Sequence, residues 1–132
     1  MTTLTVRTER RSQLVDITRL VAEAVAGRAG SALLVYVPHT TAGVTVNAHA
    51  DPMVARDFEM ALEGIAPADW DWQHFEEGEE NAPSHVRAAL IGPSVVIPLR
   101  DDGTMALGTW QGIFFCEFDG PRERSVLVSV LA

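Results

Sequence analysis

The chain contains no lysine; all ten of its basic residues are arginines. Schiff-base chemistry and a Walker-type phosphate lysine are therefore excluded, and any phosphate must be held by arginine, backbone amides or a metal. Cysteine is almost as scarce. The single Cys116 rules out an internal disulfide and any multi-cysteine zinc or iron–sulfur site. Its place in a strongly apolar segment predicts a buried, inert thiol. No apolar run approaches the ~18 residues that span a bilayer, and Met1-Thr2-Thr3-Leu4-Thr5 lacks the basic and apolar regions of a signal peptide. The expectation is a soluble, cytoplasmic protein without a membrane partner.

A positive surface is also missing. The net charge is -8, and residues 51–80 hold ten acids against one base, Arg56. Phosphate-backbone affinity comes from basic patches, so nucleic acid is excluded as a partner. What the chain does have is apolar residue content, 47% over 132 residues, enough for one folded domain spanning 1–132.

The patterning predicts an α+β fold. Leu4 to Arg11 reads as a first strand, and Asp16 or Thr18 as the cap of a helix closed by Gly27 and Gly30. Ser31 to Val37 is a buried strand stopped by Pro38, and Val44 to Asn47 a short second one. Asp51-Pro52 then opens an amphipathic helix to about residue 65, with Met53, Val54, Phe58, Leu62 and Ile65 at helical spacing. Pro67 to Glu80 has no period and reads as a long loop carrying Trp70, Trp72, His74 and Phe75. Asn81 caps a short helix, Ala82 to Leu90, and Ser94 to Leu99 is a strand that turns at Asp101-Asp102-Gly103 into Thr104 to Leu107. From Gln111 the alternation is clear: Gln111, Ile113, Phe115, Glu117 and Asp119 share one face, with Phe114, Cys116 and Phe118 on the other. Ser125 to Leu131 closes the chain, so antiparallel hairpins dominate and about three helices interrupt them.

Chemistry concentrates between His39 and Pro52, where His39, Thr40, Thr41, Asn47, His49 and Asp51 crowd a strand end and a helix start. His39, His74 and His85 come from a strand end, a loop and a helix N-terminus. Three neutral imidazoles from such elements can form an open divalent-metal site, although spacings of this size match no short metal motif and hydrogen-bonding histidines remain the alternative. Glu117, on a face with Ile113 and Phe115, is either a general acid or base with a raised pKa or a solvated strand end. Asp51 is explained by capping. Gly108, Thr109 and Trp110 lead to Gln111, an orienting amide, and Arg122 and Arg124 can bind a phosphate or pair with nearby acids.

His39-Thr40-Thr41-Ala42-Gly43, Asn47, Asp51-Pro52, Asp57-Phe58, Pro83-Ser84-His85, Leu107 to Gln111, Glu117 and Asp119-Gly120-Pro121-Arg122 together resemble the YjbQ-like family, also called secondary thiamine-phosphate synthases. The resemblance covers nearly the whole chain in order. It implies a compact, antiparallel-rich sandwich that assembles as a homotrimer with pockets near subunit interfaces. It also implies weak joining of hydroxymethylpyrimidine diphosphate to thiazole phosphate with release of pyrophosphate. On it, His39, His85, Glu117 and Gln111 are the expected catalytic residues. Thr40, Thr41, Asn47, Asp51, Gly108, Thr109, Trp110 and Arg122 are the expected substrate contacts. His39, His74 and His85 would hold a divalent metal, Zn²⁺ at rest, with Mg²⁺ accompanying a diphosphate. His49 stands where the family motif carries an acid. A metal-dependent hydrolase of a small phosphorylated metabolite and a non-catalytic ligand-binding trimer are the competing expectations.

Overall fold

The computed structural model describes residues 1–74 and 80–132. Seven strands and three helices follow in the order β1 (Thr2–Arg7), β2 (Gln13–Asp16), α1 (Thr18–Val25), β3 (Ala32–Tyr36), β4 (Ala42–Ala48), α2 (Pro52–Ile65), α3 (Ala82–Ile91), β5 (Ser94–Pro98), β6 (Gln111–Glu117) and β7 (Glu123–Leu131). They build two antiparallel sheets, ordered β1-β7-β3-β5 and β2-β6-β4. The α+β expectation holds.

β6 is the reason for the layering. Its Ile113 and Phe115 point between the two sheets, into a core with Val6, Leu33, Val35, Val44, Val126 and Val128. Phe114 and Cys116 point the other way, where Leu62 of α2 and Ala88 of α3 close a second core with Phe118. A strand buried on both faces must be apolar at successive positions, which is how this segment reads. Burial pushes the Cys116 thiol up to about 12, so it is inert as expected. α1 adds Val21 and Val25 to the inter-sheet core.

α2 begins and ends as its sequence predicts. Asp51 Oδ1 accepts from Met53 N–H at 2.9 Å, and Pro52 occupies the first helical position. At α3, Asn81 holds the cap position but its side chain makes no capping bond. β1 is shorter than expected and a separate β2 follows it; just past β1, Thr8 still donates its N–H to Arg122 O while its hydroxyl enters a buried polar cluster. Thr104 to Leu107 contributes only the single bridge Leu99–Met105. α1 starts after Ile17, with Asp16 Oδ1 accepting from Thr18 N–H and hydroxyl. No helix among the described residues is long and apolar enough to cross a membrane.

One close approach sets the site. A Cβ on Gly43 would lie 2.7 Å from Gly92 O, so β4 can run this close to the end of α3 only without a side chain there. Gly92 itself ends α3 at φ 95°. The contact is cemented by Val44 N–H donating to Gly92 O. It brings α3, which carries His85, against the strand entered from His39.

Candidate functional site

Two polar assemblies flank β6, and they differ in kind. The first is closed. Glu117 is fully buried and reaches across the gap between sheets to Arg124 of β7, whose Nε donates to it at 2.8 Å and whose Nη2 makes a second, shorter contact. Thr8 Oγ1 and the backbone N–H groups of Phe118 and Asp119 also donate to the carboxylate. Arg124 Nη2 continues to Thr41 Oγ1 at 2.8 Å. Burial pushes the Glu117 carboxyl upward, but these donors and the Arg124 charge outweigh it and hold the group below its usual range. The expectation of a raised pKa is thus reversed. An ionised carboxylate with this many donors is a clamp between sheets, not a proton carrier. Arg124 was legible only as an arginine near acids; its inward register with Val126 and Val128 is the signal that it is buried.

The second assembly is open and centres on α3. His74 and His85 meet edge to face, with ring centroids 5.1 Å apart. His74 Nε2 lies 3.1 Å from Asn81 Oδ1, while Asn81 Nδ2 donates to Asp119 Oδ2 at 2.9 Å. A carboxylate only accepts, so the Asn81 amide must turn its NH2 to Asp119 and its oxygen to His74. His74 then donates through Nε2–H, and its neutral ring keeps a lone pair on Nδ1. Asp119 is anchored in turn by Arg122 Nη2 at 3.0 Å. The diverted cap residue is therefore part of the site. Sequence reading had assigned it to the helix alone.

His39 is poised in the opposite sense. Ser125 N–H of β7 donates to its Nε2 at 3.0 Å, so the neutral ring carries its proton on Nδ1. Burial, with the Arg124 and Arg122 charges, lowers its pKa against the opposing Glu117 charge. His39 and His85 share a cavity of about 320 Å³ with Thr40, Ala42 and Pro93. On its other side His85 joins Trp72, His74 and Val86 around a mostly apolar trough of about 500 Å³.

The remaining expected contacts are taken up locally. Asn47 Oδ1 accepts from Ala48 N–H, and Gln111 Oε1 accepts from Gly108 N–H. Gly108, Thr109 and Trp110 are exposed in that turn, and Trp110 is 68% exposed. Thr41 is buried in the Glu117 clamp, and Asp51 caps α2. His49 faces Asp16 at 3.3 Å and packs over Gly112, where a Cβ would meet its ring at 2.8 Å. Phe75 and the acids of residues 76–79 lie outside the described residues. The three-histidine metal centre does not assemble: among the described residues no group of three or more His, Cys, Asp or Glu side chains is placed to hold a metal. His39 turns its lone pair to Ser125.

A family model described as UPF0047 protein, YjbQ-like, matches residues 2–132. The chain belongs to the UPF0047, YjbQ-like family. A UPF0047 protein of Methanocaldococcus jannaschii is 43% identical over 129 residues, covering 96% of this chain and 90% of its relative. UPF0047 protein YugU of Bacillus subtilis is 38% identical, covering 98% and 97%. Among solved structures, a YjbQ/UPF0047 protein of Clostridium acetobutylicum superimposes with a TM-score of 0.92 at 41% identity, covering 99% of this chain and all of the other. Hypothetical protein APE1520 of Aeropyrum pernix gives 0.90 at 41%, covering 99% and 97%. These UPF0047 relatives correct the thiamine-phosphate synthase expectation. They carry a family designation and no reaction, and that activity has no support among them.

Proposed function

We propose that the α3 trough, together with the cavity that His39 and His85 share on the other side of His85, is an acid–base site for a small phosphorylated metabolite, with His74 as the base and His39 as a hydrogen-bond donor. The observation that carries this reading is the oriented chain Asp119–Asn81–His74, which presents the Nδ1 lone pair of His74 beside His85. An imidazole whose far nitrogen is fixed by a buried partner is held in one tautomer, as general-base catalysis requires. Ala42, Ala88, Pro93, Trp72 and Val86 offer an apolar bed for the body of the ligand. Nδ1–H of His39 offers a donor for its anionic group.

A homotrimer is the assembly that the family likeness favours, and the uncovered face of the larger sheet fits a subunit contact. Tyr36 is 41% and Val96 59% exposed there. Sedimentation of the purified protein checks the stoichiometry, and a monomer at micromolar concentration refutes it. For the site, a panel of phosphorylated metabolites is screened by thermal shift, and hits are followed for turnover by mass spectrometry. His74→Ala and His85→Ala should abolish conversion of any hit. Full turnover in both variants would overturn the assignment.

A further inference from the structure

A third polar region lies away from the histidines. Arg10 and Arg11 after β1, Glu59 and Glu63 of α2, Asp69 in the segment after α2, and Arg87 of α3 line a cavity of about 630 Å³. Arg87 follows His85 by two positions. With 3.6 residues per turn the two side chains leave α3 on opposite sides, so this cavity is separate from the trough.

Arg87 is the unusual member. It is only 7% exposed, yet its Nε–H has no partner among the described residues. Its one hydrogen bond among the described residues runs from Nη2 to Ala66 O at the end of α2, 2.8 Å away. That bond suits the negative end of a helix dipole but uses one of five guanidinium donors. The acid whose charge acts on it is Glu63, and Arg11 opposes that attraction. The other cations are better matched. Arg10 pairs with Glu59 at 3.4 Å, while Arg11 donates to Glu80 O at 3.1 Å and lies 3.7 Å from Asp119. Among the described residues that is little compensation, and a buried guanidinium is costly unless something else brings negative charge to it.

The acids that line the same cavity decide what that something is. Asp69 and Glu63 border the same space, so a bare anion would meet repulsion where it met attraction at Arg87. We propose that this cavity binds a small dipolar ligand, with a phosphate or carboxylate against Arg87 and a protonated amine against Asp69 and Glu63. Charge is then matched at both ends, the anionic head meeting the edge of the Arg87 guanidinium that borders the cavity and the amine meeting the acids. The volume suits a molecule of metabolite size.

Isothermal titration calorimetry of the full chain tests this with O-phosphoethanolamine and β-alanine, and with inorganic phosphate and ethylammonium as one-ended controls. At least one dipolar probe should bind, and the better of the two identifies the anionic head. Asp69→Asn, at an exposed position that should leave the fold intact, should weaken it by about tenfold. Arg87→Lys should do the same, with circular dichroism confirming an unchanged fold. His85→Ala should leave the affinity unchanged, which separates this site from the trough. The proposal fails if neither dipolar probe binds, or if inorganic phosphate binds as tightly as O-phosphoethanolamine. It fails equally if Asp69→Asn has no effect, or if His85→Ala removes binding.

Discussion

The Glu117 clamp and the His74–His85 trough use similar residue types on either side of one strand, with opposite results. In the clamp, an acid, an arginine and two threonines satisfy each other out of reach of water. In the trough, the buried groups Asn81 and Asp119 satisfy each other, and the chain ends on an exposed imidazole with a nitrogen to spare. Polar groups that complete their bonds internally stabilise and are silent. A polar chain that stops one partner short at the surface can act on a ligand.

That contrast can be broken, first on the clamp. Glu117→Gln leaves the Arg124 charge buried without its counter-ion and should cost about 3–5 kcal/mol by urea denaturation. A loss of under ~1 kcal/mol would mean the clamp is not closed to water. The same carboxylate gives a pH signature. Its folded pKa lies below the unfolded value of about 4.3, so the unfolded chain binds the proton first as pH falls. Stability should therefore decline below that value until the folded pKa is passed, and Glu117→Gln should flatten this part of the curve. His39 adds a gentler decline beginning near pH 6.5, since its folded pKa is also lowered and the unfolded ring again protonates first. His39→Gln should remove it from pH-dependent melts.

Smaller effects follow on the helices. Asp51→Ala removes the cap of α2 and should cost about 1 kcal/mol without touching ligand binding. A change in binding with unchanged stability would return Asp51 to the site. His74→Ala should alter stability by no more than ~0.5 kcal/mol, because the ring is exposed and its partner Asn81 keeps Asp119. Destabilisation on the scale of Glu117→Gln would erase the distinction between the two regions.

Periodicity carried the fold well where one element had one environment. Pro52–Ile65 and the two-sided alternation of Gln111–Glu117 were readable because each position answers to a single core face. β2 was hidden by its four residues, too few to establish a period. The site was legible as a list of polar residues near strand ends but not as roles. Asn81 and Asp51 both look like caps, and only the position of Asp119 diverts one of them. Glu117 looked reactive because an acid stood on an apolar face. Arg124, seven residues later on the facing sheet, answers it, and sheet pairing across a sandwich is not a local pattern. The spacing of His39, His74 and His85 likewise said nothing about which ring nitrogen each would leave free.

The absence of a single methyl group at position 43 sets how tightly α3 seats against the strand beside it. That makes Gly43 a calibration point for the molecule's selectivity. An alanine there should wedge β4 from α3 and widen the gap between His39 and His85 while every polar side chain stays in place. Larger ligands could then be admitted by altering a residue that carries no chemistry of its own.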